Sequence, residues 1–226
     1  MVVTNDSKLA KEIREEVETL PNFNLYKVFI SIMNPIFWML AKPLYYSGIG
    51  KLTLGRAVIW LTRIFNATGR MIEDCEYRAI KPKWIPAKMP GVLAKMGINQ
   101  LGKLDEYNIH RKKLEGMYRT RLEQGKLESI IETAPEIELD NFFLRFPILV
   151  NNQKELHSKA KKNHIILGNW YDKMFFIPEE NWGSVGYEKG MAPNAEWVAK
   201  RIVNLPMHWA VGEEEVERVV GLLATS

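Results

Sequence analysis

The stretch from Leu25 to Asn66 limits what this chain can fold into more than any other. Val28, Phe29, Ile30, Ile32, Met33, Ile36, Phe37, Trp38, Met39 and Leu40 crowd together there, and Tyr45 and Tyr46 follow. Such a run has to leave water, either into a bilayer or against protein. It makes a poor transmembrane helix. Val28 to Ala41 is shorter than the roughly 20 apolar residues that span a bilayer, and Asn34 and Pro35 interrupt it. The second piece, Leu52 to Phe65, is also short and contains Arg56 and Arg63. Three placements stay open: helices packed on protein, helices lying in a membrane interface, or a dimer contact. Burying Phe29, Ile32, Phe37, Trp38, Leu40 and Trp60 is worth about 1.5 to 3 kcal/mol per side chain. A chain that leaves them uncovered is therefore expected to self-associate, or to bind membranes or detergent. Lys27, Lys42, Lys51, Arg56 and Arg63 around the patch suit anionic headgroups.

The remaining chain is ordinary in composition. Its 226 residues, 46% of them hydrophobic, suffice for one domain and a smaller appendage. The net charge of +4 arises from 31 basic and 27 acidic residues, spread along the chain rather than gathered into the basic face that nucleic acid requires. The single cysteine, Cys75, allows no internal disulfide, which suits a reducing cytoplasm. The opening residues show no secretory pattern.

Met1 to Thr4 reads as the end of a buried strand, and Asn5-Asp6-Ser7 offers N-cap oxygens to a helix with Leu9, Ile13, Val17 and Leu20 on one face, stopped by Pro21. Glu73 to Pro86 reads as a linker. The periodicity predicts one long helix from Met89 to Gly125, strands at Phe142 to Val150 and His164 to Leu167, a basic helix after Asn151-Asn152, and helices at Asn194 to Val203 and Glu213 to Leu223. The predicted core includes Leu101, Leu104, Leu114, Phe146, Ile148, Ile166, Val198, Ile202 and Val219. This is the pattern of a small α/β layer.

The chemistry-bearing residues do not disclose a reaction by themselves. His110, His157, His164 and His208 are far apart in sequence, and none stands at a metal-ligand spacing. No phosphate-binding glycine loop or nucleophile elbow occurs. Asp105-Glu106 reads as a solvated helix face, Glu213 to Glu215 as favourable charge at a helix N-terminus, and Lys159, Lys161 and Lys162 as a solvated helix end.

Segments taken in order carry more. MVVTNDSKLAKEIR resembles the segment that follows the lysine loop in the DegT/DnrJ family of sugar aminotransferases. KMPGVLAKMGINQLGKLDEYNIHRKKLEGMYRTRL, Lys88 to Leu122, is similar to that family's long helix. FLRFPILV, HIILGNWYD and GMAPNAEWVAKRIVNLPMHWAVGEEEVERVV continue the resemblance to the end of the chain. It covers 1–20 and 86–226, with the apolar middle weakly matched.

The resemblance implies the C-terminal part of a fold-type I enzyme of α/β class: a remnant of the large cofactor-binding domain at 1–24, an apolar helical segment and linker at 25–85, and a small α/β (α+β) domain at 86–226. It implies a homodimer with active sites at the subunit interface, and pyridoxal phosphate as cofactor. The implied reaction moves an amino group from glutamate to a keto sugar carried on a nucleotide, in the cytoplasm. The Schiff-base lysine of that chemistry is expected upstream of residue 1, since Lys8 and Lys11 fall on the helix that follows it. The chain alone is then inactive, and a companion chain carrying the lysine domain would complete it. A non-catalytic binding or membrane-surface module, touching the membrane through residues 25–66, is the alternative. Where the family shows Asn-Tyr-Arg reaching into the neighbouring subunit's cofactor site, this sequence has Pro86, Ala87 and Lys88. Lys88 keeps only the charge, as a cationic contact to the phosphate or a substrate carboxylate across the dimer. A solvated lysine at a helix start is its other reading. Ala192 stands where relatives commonly place a cysteine.

Overall fold

The computed structural model describes residues 4–44, 48–49, 52–64, 73–127, 132–133 and 143–225. The chain divides into two compact units, Met1–Leu101 and Gly102–Ser226.

In the first unit, α1 (Ser7–Thr19) starts where Asp6 Oδ1 accepts the backbone N–H groups of Lys8 and Leu9 at 2.8 and 3.1 Å, an N-cap that satisfies two otherwise orphaned donors. It ends before Pro21 as expected, but its apolar face is thinly covered, with Leu9 and Val17 exposed. α2 (Leu25–Ala41) begins on Asn24, whose Oδ1 accepts the Tyr26 N–H at 2.8 Å, and it runs unbroken through Pro35. Asn34 and Pro35 interrupt the apolar run without ending the helix: proline removes one helical hydrogen bond, and α2 packs against α3 (Leu54–Ile64). Ile30, Ala41 and Ile59 are buried in this pair. A short antiparallel ribbon, β1 (Gly48–Ile49) with β2 (Leu52–Thr53), precedes α3. The expected linker carries a 3-10 turn at Glu76–Arg78 and leads into α4 (Gly91–Leu101).

The second unit opens with α5 (Leu104–Gln124), so the segment predicted as one long helix is two. Gly102 is a poor helix former, costing about 1 kcal/mol relative to alanine, and Lys103 sits at φ −107°, ψ 3°. Asp105 and Glu106 then occupy the first turn of α5, where a helix N-terminus favours negative charge. These two residues are exposed on the helix, as a solvated face, and they also mark its start. Leu101 and Leu104, predicted as core, flank this break and are exposed.

Three short strands form an antiparallel sheet in the order β3 (Glu132–Thr133), β4 (Phe146–Leu149), β5 (Ile202–Leu205). Around it stand α6 (Gln153–Lys162), α7 (Pro193–Ala199) and α8 (Glu213–Ala224). The alternation expected of a half-buried strand appears in β4, with Phe146 and Ile148 fully buried and Pro147 and Leu149 only partly so. One face of α5, carrying Leu114, Tyr118 and Leu122, meets the same core as Val216 and Val219 of α8. Asn152 caps α6, accepting from the Glu155 N–H at 3.1 Å and donating to the Glu155 carboxylate at 2.9 Å, a reciprocal arrangement of capping-box type.

Several boundaries move. The strand expected at Phe142 to Val150 is confined to Phe146–Leu149, Phe142 lying outside the described residues. His164 to Leu167 is not a strand; only Gly168 bridges, to Asn204. Its alternation is offset by one residue from expectation: Ile165 and Leu167 are buried and Ile166 is 62% exposed. The helix expected to reach Val203 stops at Ala199, because Ile202 to Leu205 pairs with β4. Val198 and Ile202 are half-buried. The unit mixes helices with an antiparallel sheet.

Candidate functional site

Lys88 lies where the chain returns to the end of α1. Its backbone N–H donates to the Pro21 carbonyl at 2.9 Å, and Asn22 and Lys88 form an isolated parallel bridge. Next to Asn22, Phe23 packs edge to face on Trp84, with ring centroids 5.4 Å apart. The Lys27 ammonium sits 5.4 Å over the same indole and is also paired with the Glu73 carboxylate. This closure fixes the Lys88 backbone. Its side chain donates to Glu18 Oε2 at 2.8 Å, and the hydrogen bond and charge of Lys88 hold the Glu18 carboxyl below the usual carboxylate range. Lys88 is thus engaged within its own unit, with a solvated carboxylate that an anionic ligand would have to displace. Lys8 and Lys11 are exposed on α1, 4.0 and 3.8 Å from Glu12 and Glu15.

In the second unit the polar groups concentrate around β5. Gly168 and Asn204 exchange backbone hydrogen bonds at 2.8 and 3.0 Å, and the Asn204 amide donates to the Trp170 carbonyl. The Arg145 guanidinium stacks over Trp170 at 4.5 Å, leaving its Nε buried without a hydrogen-bond partner. Gly168 makes the approach feasible: a Cβ there would stand 2.7 Å from Arg145 Nη1 and 3.0 Å from Asn204 Cβ. His157 Nε2 is likewise buried and unpartnered, and burial lowers the imidazole pKa against the opposing pull of Asp172.

A second cluster closes the loop before α7. Glu196 accepts from the Tyr187 hydroxyl at 2.7 Å and from the Gly190 N–H at 2.6 Å, bonds that pull its carboxyl down and push the phenol up. Gly190 stands at φ +96°, a conformation open to glycine. Phe175, Trp182 and Tyr187 pack edge to face, with centroids 5.1 to 5.8 Å apart. The Ala192 N–H donates to the Tyr187 hydroxyl at 3.3 Å. Sequence reasoning passed over both clusters, because Arg145 with Trp170 and Tyr187 with Glu196 are joined across gaps that no helical or strand period connects. The aromatic density from Trp170 to Tyr187 was the available signal.

Other candidates have structural placements. Lys159 pairs with Glu155 at 3.0 Å and donates to the Thr225 carbonyl at 2.9 Å, while Lys161 and Lys162 are exposed. His110 packs at a tilt against Trp209, with ring centroids 5.6 Å apart, and His164 follows α6 in the left-handed region at φ 57°. Among the described residues, no group of three or more His, Cys, Asp or Glu side chains stands close enough to hold a metal ion.

A helix-led antiparallel sheet closed by a C-terminal helix defines a mixed helix and sheet module of the kind that forms part of aminotransferase folds. The model of the DegT/DnrJ/EryC1/StrS aminotransferase family matches residues 53–224, and the chain belongs to this family. The match starts inside the apolar segment, further upstream than the motifs beginning at Pro86, and leaves the opening helix outside. An uncharacterized protein of Methanocaldococcus jannaschii is 27% identical over 138 residues, 58% of this chain and 35% of that protein. A pleiotropic regulatory protein of Geobacillus stearothermophilus is 28% identical over 122 residues, 54% of this chain and 32% of that protein. The chain therefore spans about a third of the length of these curated relatives. Among solved structures, S. venezuelae DesV in complex with a ketimine intermediate aligns with a TM-score of 0.52 at 18% identity, covering 74% of this chain and 43% of that one.

Proposed function

We propose that these residues form the C-terminal part of a pyridoxal-phosphate-dependent nucleotide-sugar aminotransferase, which moves an amino group from glutamate to a keto sugar. Residues 1–24 belong to the edge of the large domain, 25–85 to an apolar helical segment and linker, and 86–226 to the small domain. The observation that carries the reading is the family match over 53–224, which takes in the helix-led sheet and its closing helix. The cofactor supplies an electron sink when bound through a lysine amine. The lysines expected to follow the lysine loop do not fit that linkage: Lys8 and Lys11 are solvated and paired with carboxylates, whereas a reactive amine needs desolvation or a cationic neighbour. From the order of the family-like segments, the linkage is assigned to a lysine outside these residues, which leaves this chain inactive by itself. Lys88 is assigned a cationic contact across a homodimer, taken up when an anion replaces Glu18.

The test is spectroscopic. Purified chain mixed with pyridoxal phosphate is expected to show free aldehyde alone, whereas a polypeptide that also includes the upstream lysine segment shows the protonated Schiff-base band and transaminates a nucleotide keto sugar with glutamate. A stoichiometric Schiff-base band from this chain, removed by substituting one of its own lysines, would overturn the assignment.

A further inference from the structure

Residues 25–72 contain six cations, Lys27, Lys42, Lys51, Arg56, Arg63 and Arg70, and no aspartate or glutamate, although the chain has 27 acidic residues. The charge segregation coincides with the apolar helices. α2 is apolar on two sides. One side buries Ile30 and Ala41, and α3 packs on α2. The other carries Leu25, Phe29, Ile32, Ile36 and Met39 at alternating steps of four and three, which align as one stripe along a helix. Ile32 is half-buried and the other four are exposed, Leu25 at 85% and Met39 at 67%.

A protein partner would cover such a stripe without requiring the surrounding 48 residues, 25 through 72, to be free of acid. An anionic bilayer surface does favour it, because its potential attracts each cation and repels each carboxylate. No helix among the described residues is long and apolar enough to cross a membrane, so contact would be in the plane of the interface, with one side of α2 sealed by α3 and the other turned to acyl chains.

We infer that the α2 and α3 pair docks on an anionic lipid surface, the stripe Leu25, Phe29, Ile36 and Met39 entering the interface and the acid-free segment supplying the attraction. Lys27 is held by Glu73, and the attraction does not depend on it. This surface is independent of the aminotransferase reading: failure to bind lipid leaves that reading untouched, and failure of the Schiff-base test leaves this one untouched.

The full chain is sedimented with sucrose-loaded vesicles of phosphatidylcholine alone, and of phosphatidylcholine containing about 30 mol% phosphatidylserine, at about 0.1 and about 0.5 M salt. Partition onto the anionic vesicles is expected to exceed that onto neutral ones about tenfold and to fall about tenfold at the higher salt. The double substitution Phe29→Ser and Met39→Ser removes binding with an unchanged circular dichroism spectrum, and Lys51→Gln with Arg70→Gln weakens it about tenfold. Should the double variant fail to fold, Leu25→Ser at the exposed first residue of α2 gives the same readout, a several-fold loss of partition. Equal binding to both vesicle types overturns the inference, as does no binding to either. A stable dimer in lipid-free solution that Phe29→Ser disperses, with the chain ignoring vesicles, assigns the stripe to a second copy instead and also overturns it.

Discussion

Replacing Tyr118 with phenylalanine should make the chain less stable at neutral pH and more stable in alkali. The ring lies fully buried on α5, stacked on Phe146 at 5.6 Å, and its hydroxyl donates to the Pro206 carbonyl at 3.1 Å. Phenylalanine keeps the stacking and loses that bond, at a cost of about 1 kcal/mol. Burial, helped by the negative charge of Glu215, raises the phenol pKa well above its usual value of 10.0. In the unfolded chain it ionises near that usual value. The stability due to the neutral phenol is thus fully present below about pH 10 and is lost as pH rises toward the folded value, at up to about 1.4 kcal/mol per pH unit. The variant escapes this loss, so the two stability curves should cross near pH 10.6, where the alkaline penalty reaches about 1 kcal/mol. Other titrating groups are common to both proteins and largely cancel in the difference. Urea unfolding followed by circular dichroism at steps from pH 7 to 11.5 measures it. A difference between the two proteins that stays constant through pH 11 would refute both the burial argument and the sign.

Ile165→Ser should destabilise the chain by about 2 to 4 kcal/mol, through lost burial and a buried hydroxyl, whereas Ile166→Ser should stay within about 0.5 kcal/mol; thermal melts of the pair report the register directly. Gly168→Ala should cost about 1 to 3 kcal/mol, because the new methyl group meets Asn204 Cβ as well as the mobile end of Arg145, and Trp170 fluorescence should change as the guanidinium moves off the indole. Asn152→Ala should remove about 1 kcal/mol by uncapping α6, read as a lower urea midpoint. Lys88→Met should let the Glu18 carboxyl return toward its usual titration range, followed by carboxyl carbon resonances against pH; an unmoved titration would show that the pair does not persist in solution.

Local signals were legible from sequence and long-range ones were not. The caps at Asp6 and Asn152, the stop at Pro21 and the core positions Leu114, Phe146, Ile148 and Val219 depend on neighbours within a turn or on strong periodicity, and they stand where expected. Two boundaries were missed because pairing or chain geometry overrode propensity. Ile202 and Val203 read as the end of an amphipathic helix until β4 engages their backbone. Gly102 reads as tolerable within a helix until the acidic pair beyond it supplies a new N-terminus. For His164 to Leu167, a short apolar run fixed neither the state nor the side that faces inward. The family likeness was legible in the order of its segments from Pro86 onward, although the matched span begins at Thr53 and leaves out the opening residues 1–20 that the resemblance also took in. The Arg145 and Glu196 clusters are joined only in space, so no spacing announced them.

The hydrogen bond from the Lys88 N–H to the Pro21 carbonyl, with the Asn22 bridge beside it, acts as a suture. Everything from Phe23 to Ala87 departs from and returns to one point, drawn shut by Phe23 on Trp84. The entropic cost of closing such a loop changes by only about 0.6 kcal/mol for each doubling of its length. Changing the length of the excursion therefore adds little to the cost of closing it while its two ends keep their places. The same property makes it a natural port for engineering, where a short turn or a fused reporter can be spliced into the excursion while the Phe23–Trp84 contact and the Lys88–Pro21 bond are kept.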